Sequence, residues 1–135
     1  MCPSLIYLTT TAPTSVGATN GVVPLLTIQR KSGCTFETNL NSVLLKKAGY
    51  YKVVATITFI APAAGLVSIQ AQKNNASING MSASATVTTA TTEVNTITIA
   101  GIVRVLCSEA PAVFTLINTG IPITVSNVSL AIEYV

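Results

Sequence analysis

The side chains that could perform chemistry in this 135-residue chain are few and widely spaced. Its only carboxylate side chains are Glu37, Glu93, Glu109 and Glu133, and it contains no His, Asp or Trp. Without His, neither a Ser-His-Asp or Cys-His nucleophile nor a His metal site can be assembled. Paired glutamates could act as acid and base, but these four are far apart, and calcium sites usually draw on Asp. We therefore expect no enzyme, no catalytic residue, no metal site and no cofactor.

The three cysteines, Cys2, Cys34 and Cys107, are an odd number without zinc-like spacing. No charged segment followed by a long apolar run indicates a signal peptide, and the longest apolar stretches are too short to span a bilayer. We expect synthesis in a reducing host cytoplasm without secretion and no membrane partner. The cysteines would then be small buried hydrophobic residues, although their redox state stays open.

Charge is scarce and scattered. Seven cations and four anions give a net charge of +3, and 8% of the residues are charged, against about 25% in an ordinary soluble domain. No basic stripe favours nucleic-acid binding. The deficit predicts that partner copies cover much of the surface. The alternative is a neutral surface of Thr, Ser and Asn.

The pattern of apolar residues predicts an all-β protein. β-branched residues are abundant and suit pleated, half-buried surfaces. At least eight strand-like runs are separated by turns every 8–14 residues, which is typical of a sandwich or barrel, and no window has a helical period. The expected strands include 22–28, 50–60, 66–73, 81–89, 94–107, 112–118 and a last one from 125 or 128 to 135, with a turn at Arg30-Lys31-Ser32-Gly33.

Two regions differ in composition. Residues 1–21 have a short apolar patch, Leu5, Ile6, Tyr7 and Leu8, followed by Thr, Ala, Pro and Gly. We interpret them as an N-terminal arm or linker outside the core, with the patch as an anchor. Residues 22–135 form the single folded domain.

Strand 50–60 has two contrasting faces. Tyr51, Val53, Ala55, Ile57 and Phe59 share one face, which predicts the core. The other face, and its equivalents on strands 94–107 and 128–135, is small and weakly polar, which suits close approach of identical subunits. The alternative is that loops cover this face within one subunit. The predicted interface residues are Tyr50, Val54, Thr56, Thr58, Ile60, Thr98, Ala100, Ile102 and Ala131.

The order of elements resembles a known fold family. Gly49-Tyr50-Tyr51-Lys52-Val53 after a short turn, then an Asn-rich turn, a small-residue strand, a long strand and a final amphipathic strand resemble the trimeric jelly roll. Complement globular heads, tumour-necrosis-factor-like ligands and exosporium glycoprotein tips share that fold. The resemblance covers residues 30–135, although Val53 stands where an aromatic residue is usual. It implies an antiparallel jelly-roll β-sandwich and a homotrimer whose three named strands pack around a threefold axis.

A second resemblance is to small phage and prophage proteins of Firmicutes. It rests on Val22-Val23-Pro24-Leu25, on 27–34, on 48–53 and on Ala61-Pro62-Ala63-Ala64-Gly65. It implies a structural virion protein at the virion surface, either a capsid decoration protein or a short head fibre. The arm would bind the major capsid protein or another virion protein.

Two other functions stay open. A receptor- or glycan-binding fibre tip would use loops on a rigid β scaffold and take a host surface glycan as partner. A bacterial spore or cell-surface trimer would be favoured by a collagen-like Gly-X-Y tract, which this sequence lacks. The candidate ligand residues in the loops are Asn74, Asn75, Asn79, Glu93 and Glu109.

Overall fold

A computed structural model describes residues 5–11, 14–16, 21–23, 25, 27–33, 35–39 and 41–135, and these form strands connected by turns. No helix occurs among them, which confirms the all-β prediction. The twelve strands are β1 (Leu5–Thr10), β2 (Thr14–Val16), β3 (Gly21–Val22), β4 (Thr27–Ser32), β5 (Phe36–Asn39), β6 (Ser42–Leu45), β7 (Gly49–Ile60), β8 (Gly65–Lys73), β9 (Ala76–Val87), β10 (Asn95–Val105), β11 (Ala112–Asn118) and β12 (Ile123–Tyr134).

The strands form two antiparallel sheets that pack face to face. The first sheet has the order β10-β7-β12-β1-β4, with β2 also paired to β12. The second has the order β5-β6-β11-β8-β9, with β3 paired to β11. Several connections lead from one sheet to the other, including those from β6 to β7, from β7 to β8 and from β9 to β10. This is the predicted antiparallel jelly-roll β-sandwich, and the three strands expected to share a sheet, β7, β10 and β12, are neighbours in it.

The core lies between the sheets and follows the two-residue period of the strands. Tyr51, Val53, Ala55, Ile57 and Phe59, on the predicted inner face of β7, have no exposed surface. Burying an aliphatic or aromatic side chain of this size stabilises the fold by about 1.5–3 kcal/mol. The inner face of β7 is therefore a main source of stability.

Asparagine forms two of the tight turns. Asn74 and Asn75 alone join β8 to β9, and their φ angles are 52° and 66°. A two-residue hairpin with both residues in the left-handed region is a favoured turn, and Asn tolerates that region well. Asn41, with φ of 64°, turns the chain between β5 and β6. The predicted Asn-rich turn, at Asn74 and Asn75, is confirmed.

The interpretation of residues 1–21 as an arm outside the core is wrong for β1. This strand pairs with β12 on one side and β4 on the other. Ile6 and Leu8 are buried in the core. The strand therefore lies inside the first sheet with its backbone paired on both sides, and Ile6 and Leu8 face the core.

Residues 22–33 also differ from the prediction of one strand and a turn. Val22 ends β3 in the second sheet, whereas Thr27 begins β4 in the first. Arg30 and Lys31 continue β4, since pairing with β1 overrides their turn-like composition. The chain turns only at Gly33, whose φ of 78° is in the left-handed region.

Candidate functional site

The outer face of the first sheet is built from matched rows of small side chains. In its middle row, Val54 on β7 lies between Ala100 on β10 and Ala131 on β12, and Tyr7 on β1 continues the row. In the next row, Thr56 lies between Thr98 and Ser129. We call this surface the outer face. The alternation that buries Tyr51 places each of these residues on it.

The outer face is open to solvent in the single chain. The exposed fractions of Tyr50, Val54 and Ile102 are 52%, 40% and 57%. The alternative that loops cover this face within one subunit is therefore wrong. The structure brings all nine predicted interface residues onto this face, six exposed and three half-buried: Tyr50, Val54, Thr98, Ala100, Ile102 and Ala131, then Thr56, Thr58 and Ile60.

The charges on the outer face of β7, β10 and β12 lie toward one end. Lys52 lies between Ile102 and Glu133 in the register, and Arg104 lies opposite Tyr50. Toward the other end the groups are hydroxyls, and those of Thr58 and Thr96 are hydrogen-bonded at 3.2 Å. A partner that covers the middle of the face therefore removes no charged side chains from water there, which keeps the desolvation cost low.

A shallow depression of about 290 Å³ crosses the outer face where β1 meets β12 and β7. Its walls include Tyr7, Val54 and Ala131, with Lys52 and Glu133 on one side. Leu5 and Tyr7, predicted to be anchor residues, are instead half-buried parts of this surface.

Ile6 and Leu8 cannot anchor the protein to another molecule, because both lie in its own core. The sequence contained a signal for this placement, since a short apolar run followed by turn residues is consistent with a strand. The sequence does not reveal the pairing with β12 and β4, however, so the segment could not be distinguished from an apolar surface patch.

The predicted ligand residues separate into two groups at opposite ends of the sandwich. Asn74, Asn75 and Glu109 lie at the end where β8 and β10 finish, and Asn79 lies on β9 just after the hairpin. Glu93 lies near the finish of β7, where Thr91 donates its amide to the Ala61 carbonyl. The five residues therefore do not form one site.

Two of these residues hold loops in place. The side-chain oxygen of Asn74 accepts a 2.9 Å hydrogen bond from the Val113 backbone amide. The backbone amide of Asn74 donates a 2.9 Å hydrogen bond to the Val113 carbonyl. Glu93 accepts hydrogen bonds from the Asn95 amide group at 2.8 Å and the Thr88 hydroxyl at 2.6 Å. These two hydrogen bonds hold the pKa of the Glu93 carboxyl below its ordinary value, and the bond from Asn95 has the larger effect.

Glu109 joins the β10–β11 loop to β8. Its carboxylate accepts a 2.9 Å hydrogen bond from the Leu106 amide and lies 3.0 Å from the Lys73 ammonium. The same ammonium donates to the Arg104 carbonyl at 2.6 Å. The Leu106 amide, followed by Lys73, lowers the pKa of the Glu109 carboxyl from its ordinary value.

A groove of about 440 Å³ lies beside this network, between β9 and β10. We call it the edge groove, since these are the edge strands of the two sheets. Sequence reasoning identified Asn79 and Glu109 but missed Lys73 and Arg104, because β8 and β10 belong to different sheets and only the packing of the two sheets brings them together. Its main polar and apolar lining residues are Lys73, Ser77, Asn79, Ile102, Arg104 and Glu109.

Cys107 corrects the expectation of buried cysteines. It is exposed and has a free thiol in the β10–β11 loop. Cys2 and Cys34 lie outside the described residues. No cluster of three or more metal-binding side chains occurs in the described part of the chain.

Across the ranges that the structure describes, there is no helix with the length and apolarity needed to cross a membrane.

Solved structures share this fold. Eiger TNF from S. frugiperda is 13% identical, with a TM-score of 0.70 over 98% of this chain and 91% of that one. The globular domain of zebrafish complement 1qA is 9% identical, with a TM-score of 0.65 over 95% and 94%. The vertex protein P5 of PRD1 is 16% identical, with a TM-score of 0.61 over 98% and 96%.

At these identities the likeness concerns the fold, and it confirms the expected resemblance to tumour-necrosis-factor-like and complement head domains. The predicted origin in Firmicutes stays a prediction. No family model matches the chain, and no curated protein matches it.

Proposed function

We propose that this protein is a homotrimeric structural protein of a phage virion surface, either a capsid decoration protein or a short head fibre. The observation that carries the proposal is the outer face, whose middle rows are uncharged and open to solvent. An exposed surface of this kind is costly in a monomer and is a usual mark of an interface.

The outer face is large enough for a stable contact. β10, β7 and β12, with 11 or 12 residues each, and the six residues of β1 together span roughly 650 Å², at about 4.8 Å between strands and about 3.3 Å per residue. A stable interface buries about 600–1,000 Å² on each partner. Ala100 and Ala131 beside Val54 allow the backbones of two copies to approach closely. Closed symmetry hides the face in every copy, and the number three rests on the resemblance to trimeric jelly rolls.

The virion setting is supported by the resemblance to phage proteins and by the fold shared with a phage vertex protein. The partner would be the major capsid protein or another virion protein. Because Ile6 and Leu8 are internal, this contact must use other residues than those two.

Light scattering tests the trimer directly. At micromolar concentration we expect a mass of about three times 13.9 kDa. Val54→Lys, in the middle of the outer face, should shift the protein toward monomer because each contact would bury an unpaired charge. Ser84→Lys is the matched control, since Ser84 is exposed on β9 in the second sheet. A monomeric parent protein, or equal dissociation of both variants, would disprove the interface.

Particle composition tests the virion role separately. We expect the protein to copurify with intact particles from a strain that carries the gene, in a fixed ratio to the major capsid protein. Its presence in the lysate but not in washed particles would refute the assignment while leaving the trimer untouched.

A further inference from the structure

The edge groove has an unbalanced charge. Lys73 and Arg104 contribute two cations, and Glu109 contributes one anion. The Lys73 ammonium is already engaged by the Glu109 carboxylate and the Arg104 carbonyl. No ion pair of the Arg104 guanidinium occurs within the part of the chain that the structure describes. The groove therefore has one excess positive charge, on the Arg104 guanidinium, which can donate hydrogen bonds to two oxygens of one ligand group.

The remaining lining residues are suited to a hydroxyl-rich ring. Ser77 and Asn79 are exposed and supply a hydroxyl and an amide, which can both donate and accept hydrogen bonds. Ile102, more than half exposed, offers an apolar wall. A groove of this size is within the range of small-ligand sites.

We propose that the edge groove binds an anionic saccharide unit, with its carboxylate or phosphate on Arg104, its hydroxyls on Ser77 and Asn79, and its ring against Ile102. An acidic peptide is the competing partner. A peptide would bind mainly through backbone pairing with a sheet edge, whereas the groove offers side-chain groups, namely the Ser77 hydroxyl, the Asn79 amide and the Arg104 guanidinium. The geometry therefore favours the saccharide.

This inference does not depend on the virion role, and it requires that Ile102 stays accessible at the edge of the trimer contact. Ile102 belongs to both surfaces, so the groove lies at the rim of the outer face. The mass of each protein sample, measured by light scattering, separates a failure of the groove from a failure of the trimer.

Titrations of the full chain with four probes test the proposal. The probes are a uronic-acid tetrasaccharide, a phosphorylated N-acetylglucosamine oligomer, a neutral N-acetylglucosamine oligomer and a glutamate-rich peptide. We expect at least one anionic probe to bind at least tenfold more tightly than the neutral one, with backbone NMR shifts centred on 77–79 and 102–104. The uronic acid identifies a carboxylate ligand, and the phosphorylated oligomer identifies a phosphate ligand.

Substitutions at Arg104 make the test specific. Arg104→Gln should weaken binding about ten- to hundredfold, as the loss of a charged hydrogen-bond partner does. Arg104→Lys should fall between it and the parent protein, because charge remains without the planar fork. Arg30→Gln is the control, since Arg30 is an exposed cation on β4 at the far edge of the first sheet.

Three results would overturn the proposal. The first is equal affinity for neutral and anionic saccharides, or none for either. The second is an equal loss in Arg30→Gln and Arg104→Gln. The third is binding of the acidic peptide alone, which would assign the groove to a protein partner.

Discussion

The hydroxyl of Tyr51 donates a 2.6 Å hydrogen bond to the carbonyl oxygen of Lys47. The ring of Tyr51 is fully buried and packs edge-on against Phe36 and Tyr134, at centroid distances of 5.6 and 5.1 Å. Its neighbour Tyr50 lies on the opposite face, half exposed. Two adjacent tyrosines thus serve different surfaces, one the core and the other the outer face.

Tyr51→Phe should lower the free energy of unfolding by about 1 kcal/mol, because it removes this hydrogen bond and keeps the ring. Burial raises the pKa of the Tyr51 phenol, so the unfolded chain releases this proton first. The stabilisation is therefore complete below the ordinary tyrosine pKa of about 10 and decreases as the pH rises through the higher folded value.

Denaturant unfolding at neutral pH and above pH 10 measures both effects. The stability difference between the parent protein and Tyr51→Phe should shrink at alkaline pH. Tyr50→Phe is the control, because it removes a phenol hydroxyl that is exposed on the outer face. Parallel profiles for the parent protein and Tyr51→Phe would contradict the assignment.

Gly49 is required by Tyr134. A Cβ atom at Gly49 would lie 2.6 Å from the Tyr134 hydroxyl oxygen, and the φ of Gly49 is 143°. Gly49→Ala should therefore destabilise the protein by several kcal/mol, through backbone strain and steric overlap. Gly80→Ala isolates the strain, because Gly80 has a φ of 80° and open space around it. Thermal unfolding of both variants compares them, and equal losses would exclude a role for Tyr134.

Gly101 leaves room for Met81 between the two sheets. A Cβ atom at Gly101 would lie 2.9 Å from Met81 Cγ. We expect Gly101→Ala to cost about 1–3 kcal/mol by overpacking, and to cost less when Met81→Ala is also present. A double-mutant cycle measured in denaturant gives the coupling. Additive effects would show that the two residues do not compete for space.

The contribution of β1 to stability tests whether residues 5–10 belong to the folded domain or to an arm outside it. Leu8→Ala should cost about 2–5 kcal/mol, because Leu8 is buried in the core. Leu66→Ala is the matched control, since Leu66 is 55% exposed. If chemical denaturation found both variants as stable as the parent protein, residues 5–10 would be an arm after all.

Protonation of the Glu109 carboxylate should be detectable at the Leu106 backbone amide, which donates a hydrogen bond to it. The pKa of this carboxylate is lowered in the folded protein, so its contribution to stability is present above the ordinary carboxyl pKa and is lost as the pH falls through the lower folded value. The amide proton shift of Leu106 should follow this titration by NMR. Glu109→Gln should abolish the acid-dependent change, whereas Glu37→Gln, in an exposed pair with Lys46, should preserve it.

The sequence predicted best where a strand alternates cleanly. The two faces of β7, β10 and β12 follow from a period of two residues, so the core and the outer face were both identified. β1 was missed because all four residues from Leu5 to Leu8 are apolar and its partner β12 is far away in the chain. Arg104 and Lys73 were missed for a related reason, since the edge groove exists only because the two sheets pack against each other.

The pairing of Leu5 with Glu133 also bears on how the protein reaches its native state. β1 precedes every other strand in chain order, yet one of its two neighbours, β12, comes after all of them. The first sheet therefore cannot close until β12 has left the ribosome, and contacts over such long sequence separations slow folding. Newly made chains would have a gap between β7 and β1 in the first sheet, and copies would assemble through the outer face only after β12 has filled that gap.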